Sequence, residues 1–326
     1  MFMFKNQPKL LVTSFAVATA ALIFASPASA WKKQNSHGEK AVADIRGVAK
    51  GDQLAPAQHV EYVEQDYSFD RFANDVKSIP LELALTYGAT IGLGFTEWDW
   101  GSSSFGFKSE GFFGKNTANG GMDKLGHAWS SYVLSDVFAR RIRRATGDRH
   151  SAAISGALLA MGVQTMVEVF DGFSSSHGFS YEDMVMNAAG ATFSYLRQTV
   201  PGMDKKIDFR LEYIPSGNVG GFRPHSDYSG QKYLLAFKLS GFEVFEETPL
   251  RFLEIHAGYF ARGFTAKEAS MGISRRRETY IGIGLNLQRI LLGDNAENDN
   301  VLEDVGRSAL QYFQVPYTYY GTRNDW

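Results

Sequence analysis

The sequence predicts an α+β fold: an N-terminal up-down helical bundle of about four helices, followed by an antiparallel β region. Three observations predict it. Between about residues 78 and 200, long apolar stretches are opened and closed by helix start and stop signals. From about residue 205 the hydrophobic period shortens to two, as in half-buried strands. The helical stretches are joined by short connections, which makes neighbouring helices antiparallel.

The first helix is expected over about Pro80–Phe95, with Ser78 as its cap and Pro80 in the first turn, where a missing N–H costs nothing. The second runs from about Asp123 to Arg144, an acid at its start and Arg140, Arg141, Arg143 and Arg144 at its end, as the helix dipole favours. The third spans about Ser151–Phe170 and stops at Asp171-Gly172. The fourth starts at Ser180, whose hydroxyl can cap the turn holding Asp183, and ends near Pro201-Gly202. Strands are expected over Lys206–Ile214, Lys232–Leu239, Leu253–Ala261 and Thr279–Leu287. In the first, Ile207, Phe209, Leu211 and Tyr213 share one face and Asp208, Arg210 and Glu212 the other, so the apolar face should pack on the bundle. A short helix over Val301–Tyr312 and an aromatic tail close the chain.

The 326 residues include 33 Lys+Arg against 35 Asp+Glu, 44% hydrophobic residues and no cysteine. Near-neutral charge excludes a nucleic-acid partner, which requires a basic excess. Absence of cysteine excludes disulfides, thiolate metal sites, cysteine nucleophiles and a lipidated cysteine. Residues 1–30 read as a signal peptide: Lys5 and Lys9, an apolar run from Leu10 to Ala25, and an A-x-A site ending at Ala30. Residues 31–77 read as an extended lead-in, 78–204 as the helical bundle domain and 205–326 as the β region. The third helix is long enough to cross a ~30 Å bilayer core at ~1.5 Å per residue. The arginine-rich turn after the second helix would then lie outside, against the positive-inside rule. The expected location is therefore exported, periplasmic or outer-membrane-associated, with a membrane surface or another envelope component as partner.

The polar residues of the helices are spaced to converge. Asp123 and His127 are four apart on one helix face, Glu168 and Asp171 three apart on the next helix, and Asp183 and Asn187 four apart on the last. In an up-down bundle these starts and ends meet at one pole, where Lys124 also lies, while Arg140, Arg141, Arg143, Arg144, Arg149 and Arg197 occupy the other. The acidic and histidine residues join into one polar pocket. Three chemistries use such a set. His127, Glu168 and Asp183 are suitable ligands for a divalent cation. A carboxylate beside a histidine is an acid/base pair, so a metal-assisted hydrolase or transferase acting on an envelope lipid or glycan is one reading. A satisfied network that fixes helix register, in a non-catalytic envelope protein, is the other. The Gly-rich segment Thr96–Met122, with Trp98, Trp100, Phe105, Phe107, Phe112 and Phe113, leads into Asp123 and either seals that pole or acts as a lid.

Asp123-Lys124-Leu125-Gly126-His127, Glu168-Val169-Phe170-Asp171-Gly172, and Gly178 through Asp183 to Asn187 and Gly190 resemble the D-K-x-G-H, E-x-x-D-G and G-x-S-x-x-D-x-x-x-N-x-x-G pattern of the YfiM-like family of predicted periplasmic lipoproteins of unknown function. A looser form of the pattern is similar to VanZ-like membrane proteins associated with glycopeptide resistance and envelope homeostasis. The resemblance covers about residues 80–200. It implies an envelope location and motif residues that act together. Lipid anchoring does not carry over, because the sequence has no cysteine.

Overall fold

The computed structural model describes residues 67–219, 222–293 and 301–325. The signal peptide expected over 1–30 and the lead-in up to residue 66 lie outside the described residues. The remainder of the lead-in is helical rather than extended. Helix α1 spans Phe69–Ser78, opened by Ser68, whose hydroxyl accepts from Arg71 N. Phe72 and Val76 pack on Phe138, Ile142 and Leu159, and the buried Asp75 accepts hydrogen bonds of 2.6 Å from both Ser151 and Ser155. Ser78 therefore ends α1 instead of capping the next helix. Helix α2 (Pro80–Glu97) begins after Ile79, with no side-chain cap.

Helices α3 (Met122–Thr146), α4 (Arg149–Asp171) and α5 (Tyr181–Thr199) pack against one another and form the centre of the bundle. Asp148 caps α4 through Ser151 N, and Ser180 caps α5 through Asp183 N, as its sequence signal predicts. Small residues let the backbones approach closely. A Cβ on Gly190 of α5 would lie 1.9 Å from the carbonyl oxygen of Ala128 on α3, so only glycine fits there. By length and composition α4 could cross a membrane, and half of its most apolar window is buried within the protein.

Five strands follow: β1 (Ile207–Tyr213), β2 (Gln231–Lys238), β3 (Leu253–Arg262), β4 (Arg276–Leu285) and β5 (Tyr319–Asp325). They form one antiparallel sheet in sequential order. Helix α6 (Val301–Tyr312) lies where the sequence predicts a short helix, and the aromatic tail after it supplies the unforeseen fifth strand. The apolar face of β1 and β2 packs on α3: Leu211, Tyr233 and Met122 share one core cluster, and Tyr132, Phe209 and Phe193 meet in another.

The opposite face departs from expectation. Asp208, Arg210, Glu254 and His256 are buried, whereas the apolar row of β3 and β4 is open, with Ile281 66% and Ile283 60% exposed. The polar face is covered by the segment after α6 and by the end of α5. Gln314 accepts from Arg210 at 3.0 Å, and Arg197 of α5 donates to Asp208 at 2.8 Å. Alternation shows which residues share a face, but not which face another element covers. His256 is fully buried beside Glu254, 3.2 Å away.

Candidate functional site

All seven polar-cluster residues lie at one pole of the bundle. Lys124 opens α3 and is completely buried. Its Nζ lies 2.7 Å from Glu110 Oε2, 2.8 Å from Asp123 Oδ2 and 2.8 Å from Asp183 Oδ1. Burial pushes its pKa down, but the charges of Asp123 and Asp183 outweigh that, so it ends above the ordinary lysine range. Burial likewise works against an ionised Glu110, yet the Lys124 hydrogen bond and charge hold that carboxyl near a pKa of about 2. This triad of carboxylates thus has a resident cation in the ammonium of Lys124.

The second group lies one helical turn along α3. The His127 ring, 23% exposed, stands between two carboxylates: Nδ1 is 3.4 Å from Glu168 Oε1 and Nε2 is 3.6 Å from Asp183 Oδ1. Asn187 Oδ1 lies 3.3 Å from Nδ1 and accepts from Ser131 Oγ at 3.0 Å. Gln164, one turn before Glu168, donates to Ser130 and Ser131 and ties α4 to α3. Glu168 has no such settled environment. Its Oε1 is buried without a hydrogen-bond partner, and Oε2 receives only Ser180 N at 3.4 Å. Burial first, then the charges of Asp183 and Asp171, push its pKa up to about 9. Asn187 Nδ2 is also buried and unpartnered. A bound cation would satisfy the Glu168 oxygen, and the oxygen of a water beside it would accept from Asn187 Nδ2.

The geometry can be tested against coordination chemistry. One ligand atom each from His127, Glu168 and Asp183 lie within 4.8 Å of one another. Two donors held at ~2.1 Å on a tetrahedral cation stand roughly 3.4 Å apart. The 3.6 Å between His127 Nε2 and Asp183 Oδ1 fits that spacing. With Nε2 as ligand, Nδ1–H is left to point at Asn187 and Glu168, the second hydrogen bond that fixes a ligating histidine. Glu168 Oε1 stands at the Nδ1 edge of the ring, so joining a cation on Nε2 requires its side chain to rotate.

The aromatic segment seals this pole. Trp100 Nε1 donates to Asp171 Oδ1 at 2.6 Å, and its ring stacks on Phe170 with centroids 4.8 Å apart. Asp171 is therefore held by the loop and kept from the His127 pair, while its pKa is raised, chiefly by burial. Backbone pairing of Gly106 and Lys108 with Phe179 lays the loop against the connection between α4 and α5. Glu182 at the start of α5 pins it: Ser109 Oγ (2.7 Å) and Gly111 N (3.0 Å) donate to one carboxylate oxygen, and Ser180 Oγ (3.1 Å) to the other. These hydrogen bonds outweigh burial and hold Glu182 at a pKa of about 2. Sequence reasoning passed over Glu110 and Glu182. Glu110 sits in an irregular loop, where no period points at it; Glu182 follows Ser180 directly, and only its place beside the capping hydroxyl signals a role.

A family model described as a predicted periplasmic lipoprotein (DUF2279) matches residues 109–199. No curated protein and no solved structure matches the chain. The matched stretch begins at Ser109, runs to the end of α5, and so contains every residue of both carboxylate groups while leaving the sheet outside. With no cysteine in the sequence, the lipid attachment in that description has no residue to carry it here. The description's periplasmic location agrees with the exported location read from the sequence.

Proposed function

We propose that this exported envelope protein binds one divalent cation through His127, Glu168 and Asp183 and uses it in a non-catalytic role, holding the sealed pole of the bundle in one geometry. The buried, unpartnered Oε1 of Glu168 facing the His127 ring carries this reading. One nitrogen with two carboxylate oxygens suits zinc or manganese better than calcium, which prefers an all-oxygen shell. The relation of the motif residues to the YfiM-like and VanZ-like families belongs to the same proposal. So does an envelope partner or membrane surface, supported by the exposure of Phe107 beside the pole and of Ile281 and Ile283 on the sheet.

A second reading, a metal-assisted hydrolase or transferase acting on an envelope lipid or glycan, is favoured by one observation. Three protein ligands and a partly exposed imidazole leave a coordination position open to solvent, as in catalytic zinc sites. Metal analysis of the purified full chain tests the shared core of both readings. We expect about one equivalent of zinc or manganese, lost in His127→Ala and in Glu168→Ala while both variants remain folded. A folded wild type that takes up neither metal at micromolar concentration would overturn both readings. Hydrolysis of envelope lipid or glycan substrates by the metal-loaded wild type alone would select the second.

A further inference from the structure

The other pole, where the sequence collects its arginines, holds a cavity of about 420 Å3 lined by the ends of α3 and α5, the start of α4, helix α6, the end of β2 and residues 286–293 after β4. Among the described residues its lining includes nine basic side chains and four acidic ones. In a chain of net charge −2, that excess is a local feature.

The floor is built from buried groups. Asp208 is shared by Arg197 at 2.8 Å, Arg210 at 2.8 Å and Lys238 at 2.9 Å; Arg210 has a further carboxylate in Glu254 and Arg197 a more distant one in Asp136, at 3.9 Å, while Lys238 has Asp208 alone among the described residues. Arg197 and Lys238 line the cavity and are 5% exposed. Lys238 is held below the ordinary lysine range, by burial first and by the Arg197 and Arg210 charges after it, with Asp208 opposing. On the walls, Arg144 pairs with Asp304 and Arg149 with Asp204, but the Arg143 guanidinium and the Lys205 ammonium have no side-chain partner among the described residues. The Arg143 pKa is lowered, by burial and then by the neighbouring Arg149 charge.

A plainer reading is that arginines at the end of α3 answer its dipole. A helix terminus offers about half a charge, which one arginine meets. It does not account for buried cations on β2 and α5 converging on the same space. We propose that this cavity binds a phosphate-bearing ligand, with Arg143 and Lys205 reaching the anion from the walls and Arg197 and Lys238 setting the positive field beneath it. Guanidinium forks match phosphate oxygens in pairs, and the ligand supplies the counter-charge that the described residues lack. The shared chemistry is a phosphate mono- or diester, whether soluble or the headgroup of an anionic lipid.

The test is calorimetric titration of the purified full chain with inorganic pyrophosphate at low ionic strength. We expect saturable binding that weakens as salt is added, and that is about tenfold weaker in Arg143→Ala and in Lys205→Ala, the loss of one charge-assisted hydrogen bond. Arg275→Ala, whose guanidinium bonds to Lys115 O elsewhere, should bind as wild type. Sedimentation with phosphatidylcholine vesicles, with and without phosphatidylglycerol, separates the sources. Phosphatidylglycerol-dependent binding that pyrophosphate competes away identifies a headgroup; pyrophosphate binding without it identifies a soluble phosphate. Failure to bind either probe, or binding that Arg143→Ala and Lys205→Ala leave unchanged, overturns the proposal.

Discussion

At the scale of single residues, the candidate site sets three carboxylates that share a cation against one that has none. Glu110, Asp123 and Asp183 share the buried ammonium of Lys124, a lysine that the fold has paired three times over. Glu168 has no such partner and keeps its proton instead. Its native pKa of about 9 stands above the unfolded value near 4.5. Below pH 4.5 both states hold the proton and nothing is lost. Between pH 4.5 and 9 the unfolded chain releases it first, so cation-free stability should fall with rising pH, by at most about 1.4 kcal/mol per pH unit. Glu168→Gln keeps the shape without the titration. In the presence of a chelator, its thermal midpoint should be less sensitive to pH between 5 and 9 than that of the wild type, and higher at pH 8. Equal pH slopes for the two proteins would show that Glu168 is ionised in the native state.

At the scale of elements, the closeness of α3 and α5 decides whether His127 reaches Asp183. Ala128 follows His127 directly, and its carbonyl faces Gly190. Gly190→Ala gains about 1 kcal/mol of helix propensity. It must also push the two backbones apart, an overpacking cost of about 3 kcal/mol or more. Denaturant unfolding should show net destabilisation, and metal analysis a loss of cation binding, because the shift separates the ligand-bearing faces. Gly162→Ala on α4, where a Cβ would be 3.4 Å from the Tyr87 hydroxyl, should be neutral or stabilising. Equal stability of the two variants would contradict the packing argument. The same scale explains what the sequence could disclose. Helices α3, α4 and α5 and strands β1 to β4 were legible because caps, stops and alternation are local. The meeting of Asp123, His127, Glu168, Asp183 and Asn187 at one pole followed from spacing and short connections. Helix α1 carries Phe69, Phe72, Ala73 and Val76 at helical spacing, but it is only ten residues long and follows a polar stretch, so the pattern is a weak signal until Asp75 finds Ser151 and Ser155 on α4. Strand β5 reads Tyr-Tyr-Gly-Thr-Arg-Asn-Asp, with no alternation, and is ordered by pairing with β4. Nothing local says that Glu110 closes onto Lys124.

At the scale of the molecule, helices and sheet are joined by a buried charge network. Arg197 of α5 donates to Asp208 and to Ile207 O on β1, while Asp136 of α3 accepts from Gln311 and Tyr312 of α6. Burial alone would raise the carboxyls of Asp136, Asp208 and Glu254; the facing arginines, with Lys238 at Asp208, instead hold all three below the ordinary carboxylate range. The sign follows from linkage. A depressed native pKa contributes stability that is fully present above the unfolded value near 4 and is lost as pH falls toward the native one. The protein should therefore lose thermal stability steeply below about pH 4, with helix and sheet melting together because Asp208 on β1 holds Arg197 of α5 as well as Arg210 and Lys238 of the sheet. Asp208→Asn leaves Arg197, Arg210 and Lys238 without the charge they share and should cost about 3–5 kcal/mol at neutral pH, as expected for breaking a buried ion pair. It should also flatten the decline in midpoint between pH 4 and 2, since one depressed carboxylate is gone. Thermal melts of wild type and variant at pH 2.5, 4 and 7, followed by circular dichroism and by tryptophan fluorescence, provide the measurement. Among the described residues the tryptophans, Trp98, Trp100 and Trp129, lie in the helical half, so with Trp31 and Trp326 replaced by Phe tryptophan reports that half, and separated transitions by the two probes would mean that the network does not couple bundle and sheet.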